Sequence, residues 1–389
     1  MIKLALYLVF ISSSCLFLYN YFVYPLLIKL ISDQKQDPHE GRIKSAEELD
    51  YFPKVSFIIA AYNEEKVIEQ KLKNTLEIDY PSELFEVIVV SDGSSDSTSE
   101  IVENFGNGVI GMHDPKRGGK SAALNRAVEQ AQGEVLVFSD ANNDFSKDSV
   151  KQLIRHFEDE EIGAVTGAKH IYENNERESA EGDGLYWKYE SQIKKAESKL
   201  GSITAAEGEI LAVRTKCFNP IDSHKVNDDA AITFDLVKAG YRVLYEENAK
   251  SYEQASIDIK DDINVKVRMT FGGYQTIAHE KDFLFPPKTL FAFNFISHKV
   301  LRWLAPHFLI LIFITSLMLW QNKFIFLLLL GQVAFYSLSL YGWKNRGKEK
   351  LPSYIYIPMY FTIMNYALFI GFLRYLNDSS KVQWKKAER

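Results

Sequence analysis

Cysteine is scarce in this chain. Cys15 and Cys217 are its two examples among 389 residues, far apart and in sequence of different character. A disulfide-stapled scaffold is therefore excluded, and Cys217 reads as an ordinary thiol in a reducing compartment. Surplus positive charge is missing as well. The formal net charge is −6, which argues against a general nucleic-acid-binding surface, so no nucleic-acid partner is expected. Aromatic side chains, by contrast, are abundant: 26 Phe and 21 Tyr, a supply suited to a protein that meets lipid.

Charge is also absent from four apolar stretches, each near the ~20 residues that a spanning helix needs. Residues 4–28 lie between Lys3 and Lys29; the others lie between Arg302 and Lys323, between Lys323 and Lys344, and between Lys350 and Arg374. The first is longer than the apolar part of a secretory signal and has no clear small-residue cleavage site. It reads as an uncleaved anchor, residues 1–31. Lys29, Lys35, Arg42 and Lys44 follow it, against Lys3 before it, which puts the middle of the chain in the cytoplasm. The loop holding Lys344, Arg346, Lys348 and Lys350 falls on the same side. The basic tail 377–389, with Lys381, Lys385, Lys386 and Arg389, falls outside by the count of spans. Either that tail departs from the rule, or one apolar stretch is interfacial or re-entrant. The expectation is a multi-pass protein of the cell (inner) membrane, with membrane lipid as a partner.

Between the anchor and Pro286-Pro287, over 43–285, the pattern changes. Short apolar runs at 55–61, 85–90 and 135–139 alternate with amphipathic stretches at 64–76, from Ser97 onward, and at 121–132. Strands alternating with helices predict an α/β domain with a mostly parallel sheet, and ligands bind beyond the carboxyl ends of such strands. Polar residues gather at three successive strand ends: Ala61-Tyr62-Asn63-Glu64, Ser91-Asp92-Gly93-Ser94 and Ser139-Asp140-Ala141-Asn142. One such cluster alone reads as a cap or turn. Three along one rim read as a site. Residues 288–302 mix Phe, Ile and Leu with Lys288, His298, Lys299 and Arg302, which predicts an interfacial helix over 286–302 or simply the start of the next span. Three spans then fill 303–376.

Gly119-Lys120-Ser121 ends the P-loop pattern, but the glycine required five positions before Gly119 is Asp114. A P-loop-like NTPase is thus a weak rival. Glycines beside a lysine still suit a diphosphate, with Lys120 as its cation.

The order of motifs resembles membrane-bound family-2 glycosyltransferases of the cellulose synthase-like group. Its carriers are Ala60-Ala61-Tyr62-Asn63-Glu64-Glu65, Ser91-Asp92-Gly93-Ser94-Ser95-Asp96, Gly119-Lys120-Ser121-Ala122-Ala123-Leu124-Asn125, Ser139-Asp140-Ala141-Asn142 and Asn227-Asp228-Asp229. The segment from Phe295 to Trp303 also looks familiar from bacterial members. The resemblance implies a GT-A nucleotide-diphospho-sugar transferase fold. It further implies inverting transfer from a UDP-sugar donor to a glycan or lipid-linked acceptor, and a divalent metal, Mg²⁺ or Mn²⁺. Ala61, Tyr62, Asn63, Glu64, Asp92, Lys120, Asp140 and Arg268 are then expected at the nucleotide-sugar, with Tyr62 against the base and Glu64 and Asp92 accepting from uracil N–H or ribose hydroxyls. Asp140 and Asn142 occupy the family's Asp-x-Asp position as metal ligands, Asn offering a carbonyl oxygen with one fewer charge. Asp229 is the implied base, with Asp228 the runner-up and a helix cap the ordinary reading of either. Glu207 and Glu209 fall where members line the acceptor side.

The chain departs from the best-known synthases at Val265-Lys266-Val267-Arg268-Met269. That stretch keeps the arginine of their Gln-x-x-Arg-Trp motif and replaces the Gln and Trp. Single transfer in cell-surface polysaccharide or glycolipid synthesis is therefore the first expectation. A processive beta-glycan synthase, poly-N-acetylglucosamine or hyaluronan-like, is the rival.

Overall fold

A computed structural model describes residues 1–35, 46, 49–172, 178–254, 259–284, 289–346 and 351–377. Pro286-Pro287, Arg42, Lys44, Lys348, Lys350 and the basic tail from residue 378 lie outside them.

The strands are β1 (Val55–Ala61), β2 (Phe85–Asp92), β3 (Val109–Asp114), β4 (Val135–Asp140), β5 (Asn143–Phe145), β6 (Ile162–Ile171), β7 (Ile210–Arg214) and β8 (Arg242–Glu253). They form one sheet in the order β3-β2-β1-β4-β7-β6-β8-β5. Every residue of β1 is buried, as a strand covered on both faces requires, hence its unbroken apolar run. Its side chains alternate between two cores. Phe57 and Ile59 join Val87, Val137 and helix Ile68–Leu76 on one face. Ile58 and Ala60 join Ile88, Phe138 and helix Lys120–Gln130 on the other.

Parallel register aligns the strand ends, with Ala61 opposite Ser91 and Ala60 opposite Asp140. β1 continues to β2 on one side and has β4 on the other, so the chain reverses direction across the sheet between β1 and β4. Ligand crevices open at such a reversal. The three polar clusters do share one rim. Beyond β4 the sheet is mixed, because β7 runs antiparallel to both β4 and β6.

Two expectations at the level of elements change. The helix over 64–76 begins at Ile68. Asn63 has φ 54°, and the Glu64 N–H donates to Thr98 Oγ1 at 2.7 Å, so the first residues form a turn. The interfacial helix over 286–302 is not a separate element. From Leu290 the chain runs as one helix to Met318, with a π-helical turn at Phe295–Val300 taking up the irregularity without a break.

Among the described residues, four helices are long and apolar enough to cross a membrane: Ile2–Gln34, Leu290–Met318, Lys323–Asn345 and Ser353–Asn377. They meet the sheet domain at two places. Helix Ile259–His279 lies along Ser353–Asn377. A Cβ added to Gly371 would stand 2.6 Å from Thr270 Cβ and 2.8 Å from the Val267 carbonyl oxygen. The second junction is polar. Glu190, on helix Glu178–Leu200, accepts from His298 Nε2 at 3.1 Å, Lys299 Nζ at 2.9 Å and Arg302 Nη1 at 3.1 Å. Glu197 accepts from Tyr24 Oη at 2.7 Å and faces His298 Nδ1 at 2.8 Å. Burial opposes ionisation of Glu190, but Lys299, His298 and Arg302 hold its carboxyl well below the usual range. These three basic residues face protein, where their sequence suggested an interface with lipid.

The close approach at Gly371 yields a stability prediction. Gly371→Ala should cost about 1–3 kcal/mol through overpacking and lower the melting temperature in detergent. Gly331→Ala, with nothing within 4 Å of its added Cβ, should leave that temperature unchanged or slightly raised.

Candidate active site

Asp140 ends β4 and Lys120 opens the helix that covers it. The Lys120 ammonium stands 2.7 Å from Asp140 Oδ1 and 3.5 Å from Asp228 Oδ2. Burial works against its charge, yet Asp140, Asp228 and Asp229 together hold its pKa above the ordinary value. Asp228 and Asp229 begin helix Asp228–Lys238, after Asn227. Gly208 brings the loop between Glu207 and Glu209 against them: a Cβ there would lie 3.3 Å from Asp229 Cβ and 3.7 Å from Lys120 Nζ. Arg268, partly buried on helix Ile259–His279, feels Asp228, Asp140 and Asp229 as its neighbouring charges. Five of the expected side chains thus meet in one place.

Asp229 is the perturbed acid. Burial first, and the Asp228 carboxylate second, push it from 3.8 up to about 7. A carboxyl poised there can take up a proton near neutral pH.

Asp92 sits at the same rim, but its oxygens are engaged. It accepts from the Gly119 N–H at 2.7 Å, the Gly118 N–H at 3.1 Å and Arg126 Nη2 at 2.8 Å. The glycine N–H groups therefore point at a carboxylate, and the loop does not have the open phosphate cradle of a P-loop. Gly93, with φ 69°, lets this loop close in, since a Cβ there would be 2.8 Å from the Arg117 backbone N. The Arg117 guanidinium consequently lies 3.7 Å over the Tyr62 ring. Asn63 Oδ1 accepts from the Ser95 N–H at 2.8 Å and its own N–H donates to Ser94 Oγ at 3.1 Å, tying the first two clusters together. Ala61 and Glu64 are buried.

Asn142 lies in the turn after β4, so strand alternation does not set its direction. Its Nδ2 donates to Glu253 Oε1 at 2.8 Å. Glu253 pairs with Lys169, whose ammonium also holds Glu209 Oε2 at 2.7 Å. Glu207 pairs with Lys194. Both glutamates expected on the acceptor side are therefore held by lysines. Asn143 is a further hub: its amide donates to the Glu209 carbonyl and to Ser251 Oγ, each at 2.9 Å, and accepts from the buried Lys71 at 3.1 Å. Sequence reading missed Arg117, Arg126, Lys169, Lys194 and Glu253. Arg126 alone had a local signal, sitting on the helix that Lys120 opens.

Among the described residues, no three His, Cys, Asp or Glu side chains converge as a metal site. Asp140 and Asn142 offer one carboxylate and one amide oxygen. That set fits a hard cation that completes its shell with phosphate oxygens and water.

Residues 56–218 match the model of glycosyl transferase family 2. The chain carries a family-2 glycosyltransferase domain. It is 27% identical over 250 residues to a poly-beta-1,6-N-acetyl-D-glucosamine synthase of Staphylococcus aureus (strain COL), a match covering 62% of this chain and 59% of that protein. A synthase of the same name from Staphylococcus epidermidis is 27% identical over 259 residues, covering 63% and 61%. The chain thus spans about three fifths of the length of these relatives. A mannosyltransferase from Pyrobaculum calidifontis, solved in complex with GDP-Man and Mn²⁺, superposes with a TM-score of 0.75 at 21% identity, over 95% of this chain and 99% of that one. The family-2 domain has the GT-A fold, and the likeness extends through the apolar helices at both ends.

Asp92 gives this site its sharpest stability test. Asp92→Asn keeps the shape and removes the charge that three donors share, a loss of roughly 1–3 kcal/mol to the loop. Hydrogen exchange at Gly118 and Gly119 should speed up, while that in β1 should not change.

Proposed function

We propose that this protein is a membrane-bound inverting glycosyltransferase that moves a sugar from a UDP-sugar to a hydroxyl of a glycan or lipid-linked acceptor in cell-surface polysaccharide or glycolipid synthesis. The observation that carries this reading is the meeting of Lys120, Asp140, Asp228 and Arg268 around the Asp229 carboxyl, which is raised to about 7. The names of the relatives, which speak of an N-acetylglucosamine polymer and of GDP-Man with Mn²⁺, support a nucleotide-sugar donor.

In the reaction, Asp229 takes the proton of the acceptor hydroxyl. The acceptor oxygen then forms its bond to the anomeric carbon as the bond to the diphosphate breaks on the opposite face. Lys120 and Arg268 lie where the departing UDP gathers negative charge and stabilise it by preorganised attraction. A divalent ion, held by Asp140 and the Asn142 carbonyl oxygen together with the diphosphate, would add charge neutralisation for the leaving group. Tyr62 offers a ring face to the base, the face that Arg117 covers here. Asp92 acts on the nucleotide through the loop it holds. Glu207 and Glu209, each paired with a lysine, line the acceptor side.

The basic residues after the first span favour a catalytic domain on the cytoplasmic face of the cell membrane. Helix Ile259–His279 carries Arg268 and packs on the last apolar helix, which favours an acceptor delivered at the membrane. Processive synthesis is the second reading, favoured by the names of the staphylococcal relatives. Met269 follows Arg268 without an aromatic platform, so single transfer remains first.

Membranes containing the protein, incubated with a panel of radiolabelled UDP-sugars, should label one short glycan or lipid-linked product; long polymer would move the assignment to the synthase. Asp229→Asn should lower turnover by roughly 10²-fold or more with UDP binding nearly intact, and full turnover would reassign the base. Because the folded pKa lies above 3.8, the carboxyl holds its proton below about 7 and can accept one above. kcat/KM for the acceptor should accordingly rise with pH up to about 7 and then level off.

A further inference from the structure

We propose that Glu253 is a positioning residue that selects asparagine at position 142 and turns its carbonyl oxygen toward the cation. The inference rests on Asp140 and Asn142 being the metal-holding pair, and it explains why an amide replaces the family's second acid.

Glu253 lies at the end of β8 and is 3% exposed. It pairs with the Lys169 ammonium, so it is a carboxylate that accepts hydrogen bonds and donates none. An amide next to it has one stable orientation. Nδ2 of Asn142 must face Glu253, as it does at 2.8 Å, and Oδ1 is left for another partner. The choice between the two amide orientations is thereby made by the neighbour's chemistry.

Charge explains why an acid is unsuitable here. Lys169 is shared by Glu209 and Glu253, so two carboxylates meet at one ammonium. A carboxylate at position 142 would face the Glu253 carboxylate where the amide now donates to it at 2.8 Å, exchanging a hydrogen bond for like-charge repulsion. The negative charge that the family places on the second ligand is kept, one residue behind the amide. There it polarises the Asn142 carbonyl through the hydrogen bond.

The test is binding of Mn²⁺ to the detergent-purified full chain with UDP present, followed by the loss of free-Mn²⁺ electron paramagnetic resonance signal. Asn142→Asp alone should weaken Mn²⁺ binding about tenfold, from like-charge repulsion. Glu253→Gln alone should weaken it several-fold, since either end of the new amide can face Asn142. Combined, the two substitutions exchange donor and acceptor and restore the charge count, so binding should return to within about twofold of wild type. A merely structural role for Glu253 would make the two losses add, and additive losses overturn the proposal. Recovery in the double variant also shows that the singles fail through charge and not through misfolding. Asp140→Ala separates the two levels of the argument. If it leaves Mn²⁺ binding unchanged, the metal pair itself is wrong and the inference falls with it. If it weakens binding while the other losses add, only the role of Glu253 is lost.

Discussion

One ammonium ion holds the two halves of this site together. Lys120 touches Asp140 at the end of β4 and Asp228 at the start of a helix that follows much later in the chain. Neither carboxylate would be stable so close to the other in a half-buried place without it, because like charges in a poor dielectric repel strongly. The third acid, Asp229, is farther from full compensation, and it is the one whose proton affinity rises. The pocket is thus a balance in which one ammonium answers more than one acid.

The same economy of charge appears where the sheet domain meets the apolar helices. Glu190 and Glu197 are buried; Glu190 meets His298, Lys299 and Arg302 of one apolar helix, and Glu197 meets Tyr24 and His298 of two apolar helices and Thr204 of its own domain. Removing one partner would strand a charge, which is far costlier than the pair's net contribution. Such a junction fixes orientation more than it adds stability. Helix Glu178–Leu200 also presents Lys194 to Glu207, so one rigid rod reaches from the apolar helices to the acceptor-side loop.

What could be read from the sequence divides along physical lines. β1, β2 and β4 were legible because burial on both faces demands unbroken apolar runs, and their ends were legible because polar groups stop those runs abruptly. β3 was not, since this edge strand is half-exposed and carries Gly111 and His113 among its residues. The reversal at β7 left no trace either, as an antiparallel strand deep in a sheet is as apolar as a parallel one. Lys120, Asp140, Asp228 and Asp229 came from ordered motifs. Glu253 and Lys169 did not, because their partners lie far along the chain; the bond between Asn142 and Glu253 spans 111 positions. Asp92 was found, but not the three donors aimed at it, because a motif gives the residue and not its partners.

These bonding patterns make the two sides of the site unlike in kind. On the nucleotide side, backbone N–H groups and one arginine fix Asp92, and the loop carrying Arg117 is set by main-chain geometry at Gly93. Backbone contacts tolerate change in neighbouring side chains, so this half keeps its shape as sequence drifts. Around Glu207 and Glu209, lysine–carboxylate pairs set the geometry instead, and long side chains find new partners when one member is exchanged. The first half is fixed by main-chain geometry, and the second by the reach of long side chains.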